Sequence, residues 1–153
     1  MIKLSILVAT WFYSGHIRPV SGTWGTLAGL PLCLAFVHYG GHYGVFFGAI
    51  TLFIIGLWAA HAYEIDTGEH DSSRVVIDEV AGMMVACLPL LYQFDLKTIA
   101  ACFIAFRLFD AVKIGPVGWL DRNIHGAFGV MLDDIAAGLL AAITVFGGLL
   151  WMI

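Results

Sequence analysis

From Pro19 to Tyr63 the chain has no Asp, Glu, Lys or Arg, a run of 45 residues without a formal charge. Such a stretch does not stay solvated as a loop, and it exceeds the roughly 20 apolar residues that one helix needs to cross a hydrocarbon core of about 30 Å. Gly40-Gly41 punctuates its middle, so two spans joined by a tight turn fit it best. The first is placed over residues 24–39, with Pro31 carried as a kink. The second is placed over residues 43–63, about 31 Å of helix at about 1.5 Å per residue.

Composition agrees. Of 153 residues, 61% are hydrophobic and 12% charged, against roughly 45–50% and 25% in an ordinary soluble domain. One domain over residues 1–153 is expected, and disorder is excluded for so apolar a chain. A net charge of −4 with seven basic residues leaves no basic footprint for nucleic acid. Cys33, Cys87 and Cys102 all lie in apolar stretches and form no Cys-x-x-Cys pair, which makes them small core residues rather than a disulfide framework or zinc site. Residues 1–13 carry one lysine and a short apolar run with no small-x-small cleavage pattern, so neither a removed signal peptide nor a span is expected there.

Three further apolar runs follow. Residues 80–94 open after Asp78-Glu79, residues 98–113 carry Arg107, Asp110 and Lys113 in their last turns, and residues 135–153 begin after Asp133-Asp134. Gly115-Pro116, Gly118 and residues 121–129 read as the loop before the last run. The expected fold is therefore all-α: a multi-pass integral membrane bundle of five segments, with the third and fourth short enough to be buried or half-inserted. Gly82, Gly138, Gly147 and Gly148 would let packed helices approach closely. Five crossings put the Gly40-Gly41 turn, the 95–97 turn and the C-terminus on one side. Ten of the eleven acids and five of the seven basic residues, Arg18 among them, fall on the other. By the positive-inside rule that polar side faces the cytoplasm.

Ionisable groups gathered at the ends of apolar helices mark a polar site. Asp78-Glu79, Asp110 and Asp133-Asp134 supply up to five carboxylates from three segments, hard oxygen ligands suited to Mg²⁺. Acids in a helix's first turn also complement its dipole, but neighbours about 100° apart cannot both face solvent. Arg107 and Asp110, spaced i,i+3, form an intrahelical pair on the plainest reading. Lys113 lies on a similar face, and two cations beside a carboxylate-bound metal make a phosphate site. Gly22-Thr23-Trp24-Gly25-Thr26 adds a glycine-flanked helix start with two hydroxyls, able to hold phosphate or simply to cap the helix. His70 and His125 lie on the polar side and can assist proton transfer, whereas His38, His42, His61 and the five tryptophans read as packing or interfacial residues. A cation-coupled transporter or channel subunit is the rival class, and a structural assembly factor a third.

Four ordered stretches carry a family resemblance: Ser21-Gly22-Thr23-Trp24-Gly25-Thr26-Leu27, Val76-Ile77-Asp78-Glu79-Val80-x-Gly82, Phe106-Arg107-Leu108-Phe109-Asp110-x-x-Lys113 and Gly129-Val130-Met131-Leu132-Asp133-Asp134. In order and spacing they resemble the motifs of phosphatidylglycerophosphatase A. The resemblance implies a bacterial, Mg²⁺-dependent lipid phosphatase of the inner membrane that converts phosphatidylglycerophosphate to phosphatidylglycerol and inorganic phosphate. It matches Asp78, Glu79, Asp110, Asp133 and Asp134 to the family's acidic positions and Arg107 and Lys113 to its basic ones; the roles expected here are metal binding by Asp78, Glu79, Asp133 and Asp134, catalysis by Asp78, Asp110, Lys113 and Arg107, and phosphate binding by Thr23, Thr26, Arg18, Arg107 and Lys113. An acid free of metal, or His70, would orient the attacking water, or Asp110 or Asp78 would itself attack phosphorus. The chain departs from the family pattern with Ser21 in place of the usual Pro before Gly-Thr, and with Lys113-Ile114-Gly115-Pro116 in place of Lys-Pro-x-Pro.

Overall fold

The structure is a computed structural model and describes residues 3–69 and 72–151. Its described residues are helical, without strands: α1 (Leu4–Ala9), a 3₁₀ turn (Ser14–His16), α2 (Ser21–Thr67), α3 (Ile77–Ala86), a second 3₁₀ turn (Leu88–Leu91), α4 (Leu96–Val112), α5 (Pro116–Asn123) and α6 (Gly126–Trp151).

The charge-free run is α2, and it is two helices rather than one. Gly41 breaks it at φ 54° and ψ −140°, a backbone conformation open to glycine and costly for residues with a Cβ. Contacts with α3 show that the chain reverses there. Gly25 and Gly29 of the first arm pack on Val76 and Val80, whereas Gly48 and Gly56 of the second pack on Met84 and Ile77. The arms therefore run antiparallel along α3. Pro31 is carried inside the first arm without ending it.

α3 is the centre of the molecule. Every one of its residues is buried except Glu79, whose side chain is still only 13% exposed, and past the two first-turn acids the helix is apolar on all sides. At ten residues it is about 15 Å long, half of a hydrocarbon core. The two arms of α2, with α4 and α6, enclose it. α3 and α6 cross at a pair of glycines, since a Cβ on Gly138 would stand 2.3 Å from the Gly82 carbonyl oxygen and one on Gly82 2.6 Å from that of Asp134. Asp78 and Asp134 each lie one turn before this crossing, which is why residues 56 positions apart meet. The expected close approach holds at Gly82 and Gly138 but not at Gly147 and Gly148, which have nothing within 4 Å.

α2 and α6 are both long and apolar enough to cross a membrane. Their outer faces stay apolar too: Phe46, Phe47, Ile54, Trp58, Ile143 and Leu150 are all exposed. Ring contacts fix the ends. His38 meets Phe94 at 5.6 Å and Tyr92 meets Phe146 at 4.7 Å, so the Gly41 turn, the turn before α4 and the far part of α6 share one end of the bundle, as expected. At the other end, Lys3 pairs with Asp66 at 2.6 Å and the Val76 amide donates to the Ala9 carbonyl at 2.9 Å, tying α1 beside α3.

Boundaries differ from expectation in three places. The run expected over residues 80–94 is α3, which takes Asp78 and Glu79 into its first turn and ends at Ala86, followed by the 3₁₀ turn Leu88–Leu91. α6 starts at Gly126, nine residues earlier than the end of the acid pair suggests, so Asp133 and Asp134 sit inside the helix and are not first-turn acids. Part of the expected loop is α5, opened by Pro116 in its first turn, where the missing N–H costs nothing.

Candidate active site

The polar end of the bundle encloses a cavity of about 820 Å³, walled by the start of α2, its C-terminal turns, and parts of α3, α4, α5 and α6. Asp78 and Glu79 enter from the first turn of α3, Arg107 and Asp110 from the last turns of α4, Lys113 from its C-cap, and Asp133 and Asp134 from α6. All seven line the one cavity.

Asp78, Glu79 and Asp134 each present an oxygen within 4.8 Å of the other two. Their burial is costly. The carboxyl of Asp78 is pushed well above its usual range by burial and by the adjacent Glu79. That of Glu79 is pushed up to about 8, chiefly by burial and, in smaller part, by the charges of Asp134 and Asp110. Among the described residues, Asp78 Oδ1, Glu79 Oε2, Asp133 Oδ1 and Asp134 Oδ2 are buried with no hydrogen-bond partner. Four unmet acceptors from two helices are an expensive feature of a folded chain, and a divalent cation relieves this kind of penalty. The donor set thus fits a hard metal ion such as Mg²⁺.

Asp133 and Asp134 divide the work between faces of α6. Asp134 joins Asp78 and Glu79, while Asp133 turns to Lys113, accepting from its ammonium at 2.9 Å. Asp121 of α5 accepts a second hydrogen bond from the same ammonium. Partial burial works against the charge of Lys113, but these two bonds outweigh it and hold the group above the usual lysine range. Arg107 is braced differently. Its Nη1 pairs with Asp110 Oδ2 at 2.5 Å, donates to Thr26 Oγ1 at 3.4 Å and stands 3.9 Å from Glu79 Oε1. Its Nε is buried without an acceptor.

The start of α2 plays a different part from the one expected of it. Neither Thr23 nor Thr26 lines the cavity: Thr26 is buried behind Arg107 and donates to the Gly22 carbonyl at 2.8 Å. Arg18 is exposed and also lies off the cavity wall. Ser21 and Gly22 do line it. Gly22 is needed for space, because a Cβ there would be 2.2 Å from Glu79 Oε1 and 2.9 Å from Arg107 Nη2. His125 is on the wall as expected, and His70 lies outside the described residues. Sequence reasoning missed Asp121 and Glu64, both on the wall. Pro116 at a helix start was the available signal for α5 and hence for Asp121.

Relatives give this geometry its chemistry. The chain is 33% identical over 147 residues, 96% of its length and 90% of the relative's, to a Haemophilus influenzae protein named phosphatidylglycerophosphatase A. It is 37% identical over 138 residues, 89% of its length and 78% of the relative's, to an Escherichia coli protein of the same name. No solved structure matches the chain. An all-helical fold, a cavity of buried carboxylates and held cations, and these relatives define a phosphatase, a phosphoric monoester hydrolase of lipid metabolism. The family profile of phosphatidylglycerophosphatase A covers residues 7–149, all four motif stretches included. The chain belongs to that family.

Proposed function

We propose that the protein removes the terminal phosphate of phosphatidylglycerophosphate, releasing phosphatidylglycerol and inorganic phosphate. In this reading the reaction depends on Mg²⁺ and runs at the cytoplasmic face of a bacterial inner membrane that the chain crosses more than once. The observation that carries it is the convergence of four unpartnered, buried carboxylate oxygens with two braced cations in one cavity. Each arm of α2 has the length of a full span, and α6 is a third such helix. With Lys3 drawn to the cavity end by Asp66, Lys97 is the one basic residue at the opposite end, which favours a cytoplasmic cavity. A lipid's phosphate sits at the headgroup layer, level with the ends of apolar helices. The rival transport reading needs polar groups near the middle of the bundle, and α3 fills that place with Val80, Met83 and Met84.

Asp78, Glu79 and Asp134, with Asp133 beside them, would hold the magnesium. When bound, it supplies positive charge opposite the phosphate oxygens. Arg107, fixed in direction by Asp110, Glu79 and Thr26, offers its remaining N–H groups to the same oxygens, and Lys113 offers its third donor. Thr26 therefore serves the phosphate through Arg107. Asp110, on the cavity wall and held by Arg107, orients a water molecule in line with the scissile P–O bond and takes its proton. The glycerol oxygen leaves with the bonding pair and is protonated from solvent. Rate enhancement on this scheme comes from positioning and charge.

The test is phosphate release from synthetic phosphatidylglycerophosphate in mixed micelles by the purified protein. Turnover is expected with MgCl₂, with a drop of at least about a hundredfold on chelation and recovery when Mg²⁺ is restored. Release that is indifferent to chelation, or none at all, would overturn the proposal.

A further inference from the structure

Two contacts of α5 fall on one residue, the C-cap of α4. Lys113 caps α4 in the left-handed region, at φ 50° and ψ 50°, which a residue with a Cβ holds only where its surroundings fix it. α5 supplies the fixing. Its Gly118 lies against the Lys113 carbonyl, where a Cβ would stand 2.1 Å from the oxygen. Asp121, three residues on and so on the same face of α5, accepts from the Lys113 ammonium. One short helix thus grips both the backbone and the side-chain tip of the same lysine.

The need for such a grip follows from the charge on the wall. Glu64, Glu69, Asp78, Glu79, Asp110, Asp121, Asp133 and Asp134 line the cavity, against the permanent cations Arg107 and Lys113. Arg107 is a rigid fork braced from α2, α3 and its own helix. A lysine is a point charge on a flexible stem. Left loose in this field it would fall onto Asp78 Oδ1, Glu79 Oε2 and Asp134 Oδ2, which have no hydrogen-bond partner.

We infer that Asp121 is a positioning residue: it holds the Lys113 ammonium at the mouth of the cavity, away from the Asp78–Glu79–Asp134 cluster and aimed at the substrate phosphate, so that α5 is a clamp for this cation. The inference rests on the phosphatase reading of the site.

The experiment is a double-mutant cycle on the full chain, measuring kcat and KM for phosphatidylglycerophosphate in mixed micelles with MgCl₂, with melting temperatures alongside. Asp121→Asn should lower kcat/KM about tenfold at an unchanged melting temperature, and Asp121→Glu should recover it to within about threefold. In a Lys113→Ala background the same Asp121→Asn change should cost less than about twofold, because its target is gone. If Lys113→Ala turns over too slowly to measure, the cycle is read from calorimetric binding of inorganic phosphate with MgCl₂. An Asp121→Asn variant with wild-type kinetics, or one equally impaired with and without Lys113, would overturn the clamp while leaving the phosphatase reading intact. Wild-type protein that releases no phosphate overturns both.

Discussion

Replacing Gly138 by alanine tests the claim that the α3–α6 crossing builds the site. The added Cβ would meet the Gly82 carbonyl oxygen at 2.3 Å, and reaching an ordinary contact of 3.4 Å requires the two backbones to part by about 1.1 Å. Both atoms belong to helix interiors, so no side-chain rotation relieves the clash. Overpacking of this kind costs about 1–3 kcal/mol, against a gain of up to about 1 kcal/mol in helix propensity. Gly147→Ala shares that propensity gain, so Gly138→Ala is expected to be less stable than Gly147→Ala by about 1–3 kcal/mol. Asp134, one turn away on α6, moves off Asp78 by a similar distance, and a misplacement of about 1 Å can cost about a hundredfold in rate. Gly147→Ala is the control on the same helix, with nothing within 4 Å of its new methyl. Phosphate release and detergent melting curves on both variants decide the matter. A Gly138→Ala protein that melts no lower than Gly147→Ala and hydrolyses at the wild-type rate would refute the account of how these acids are brought together.

Asp78→Asn, Asp110→Asn and Asp134→Asn should each lower turnover at least about a hundredfold with the melting temperature retained; near-normal release by all three would sink the site assignment. Gly22→Ala should push Glu79 and Arg107 aside, since its Cβ falls 2.2 Å from Glu79 Oε1. A weaker apparent affinity for Mg²⁺, read from the metal dependence of turnover, is the expected sign, and an unchanged one counts against Glu79 as a ligand. At the opposite end, the Gln93 amide and the Thr98 backbone N–H hold the Asp95 carboxyl below its ordinary value of 3.8. A depressed carboxyl contributes stability above that value and loses it as pH falls through the folded-state value. Asp95→Ala should therefore melt below wild type at pH 7, and the gap should close in strong acid; a gap that persists there would mean the charge is not the source.

Much of this was legible because apolar runs and glycine turns report directly on where a chain can be solvated. The reversal at Gly41, the shared end of the two turns and α6, and the opposition of Asp78-Glu79 to Asp133-Asp134 all follow from residues 19–63 and the placement of charge. The start of α6 was not, because an acid pair ahead of an apolar run looks like a helix beginning. Here the pair is internal, one acid turned to Lys113 and the other to Asp78, and only tertiary partners reveal that. Glycines posed the same difficulty. Gly138 and Gly147 look alike in sequence, yet one faces a neighbouring backbone and the other faces nothing. Thr26 read as a phosphate ligand because a hydroxyl near a helix start can serve there; its burial behind Arg107 depends on α4, 81 residues away.

The enclosure of α3 bears on how the protein comes into being. A helix of ten residues is too short to cross a bilayer by itself, so α3 keeps its place only once the α2 hairpin and α6 have closed over it. Until then Asp78 has no Asp134 opposite. The cluster of Asp78, Glu79 and Asp134 is consequently a property of the assembled bundle, absent from any part of the chain that lacks α6.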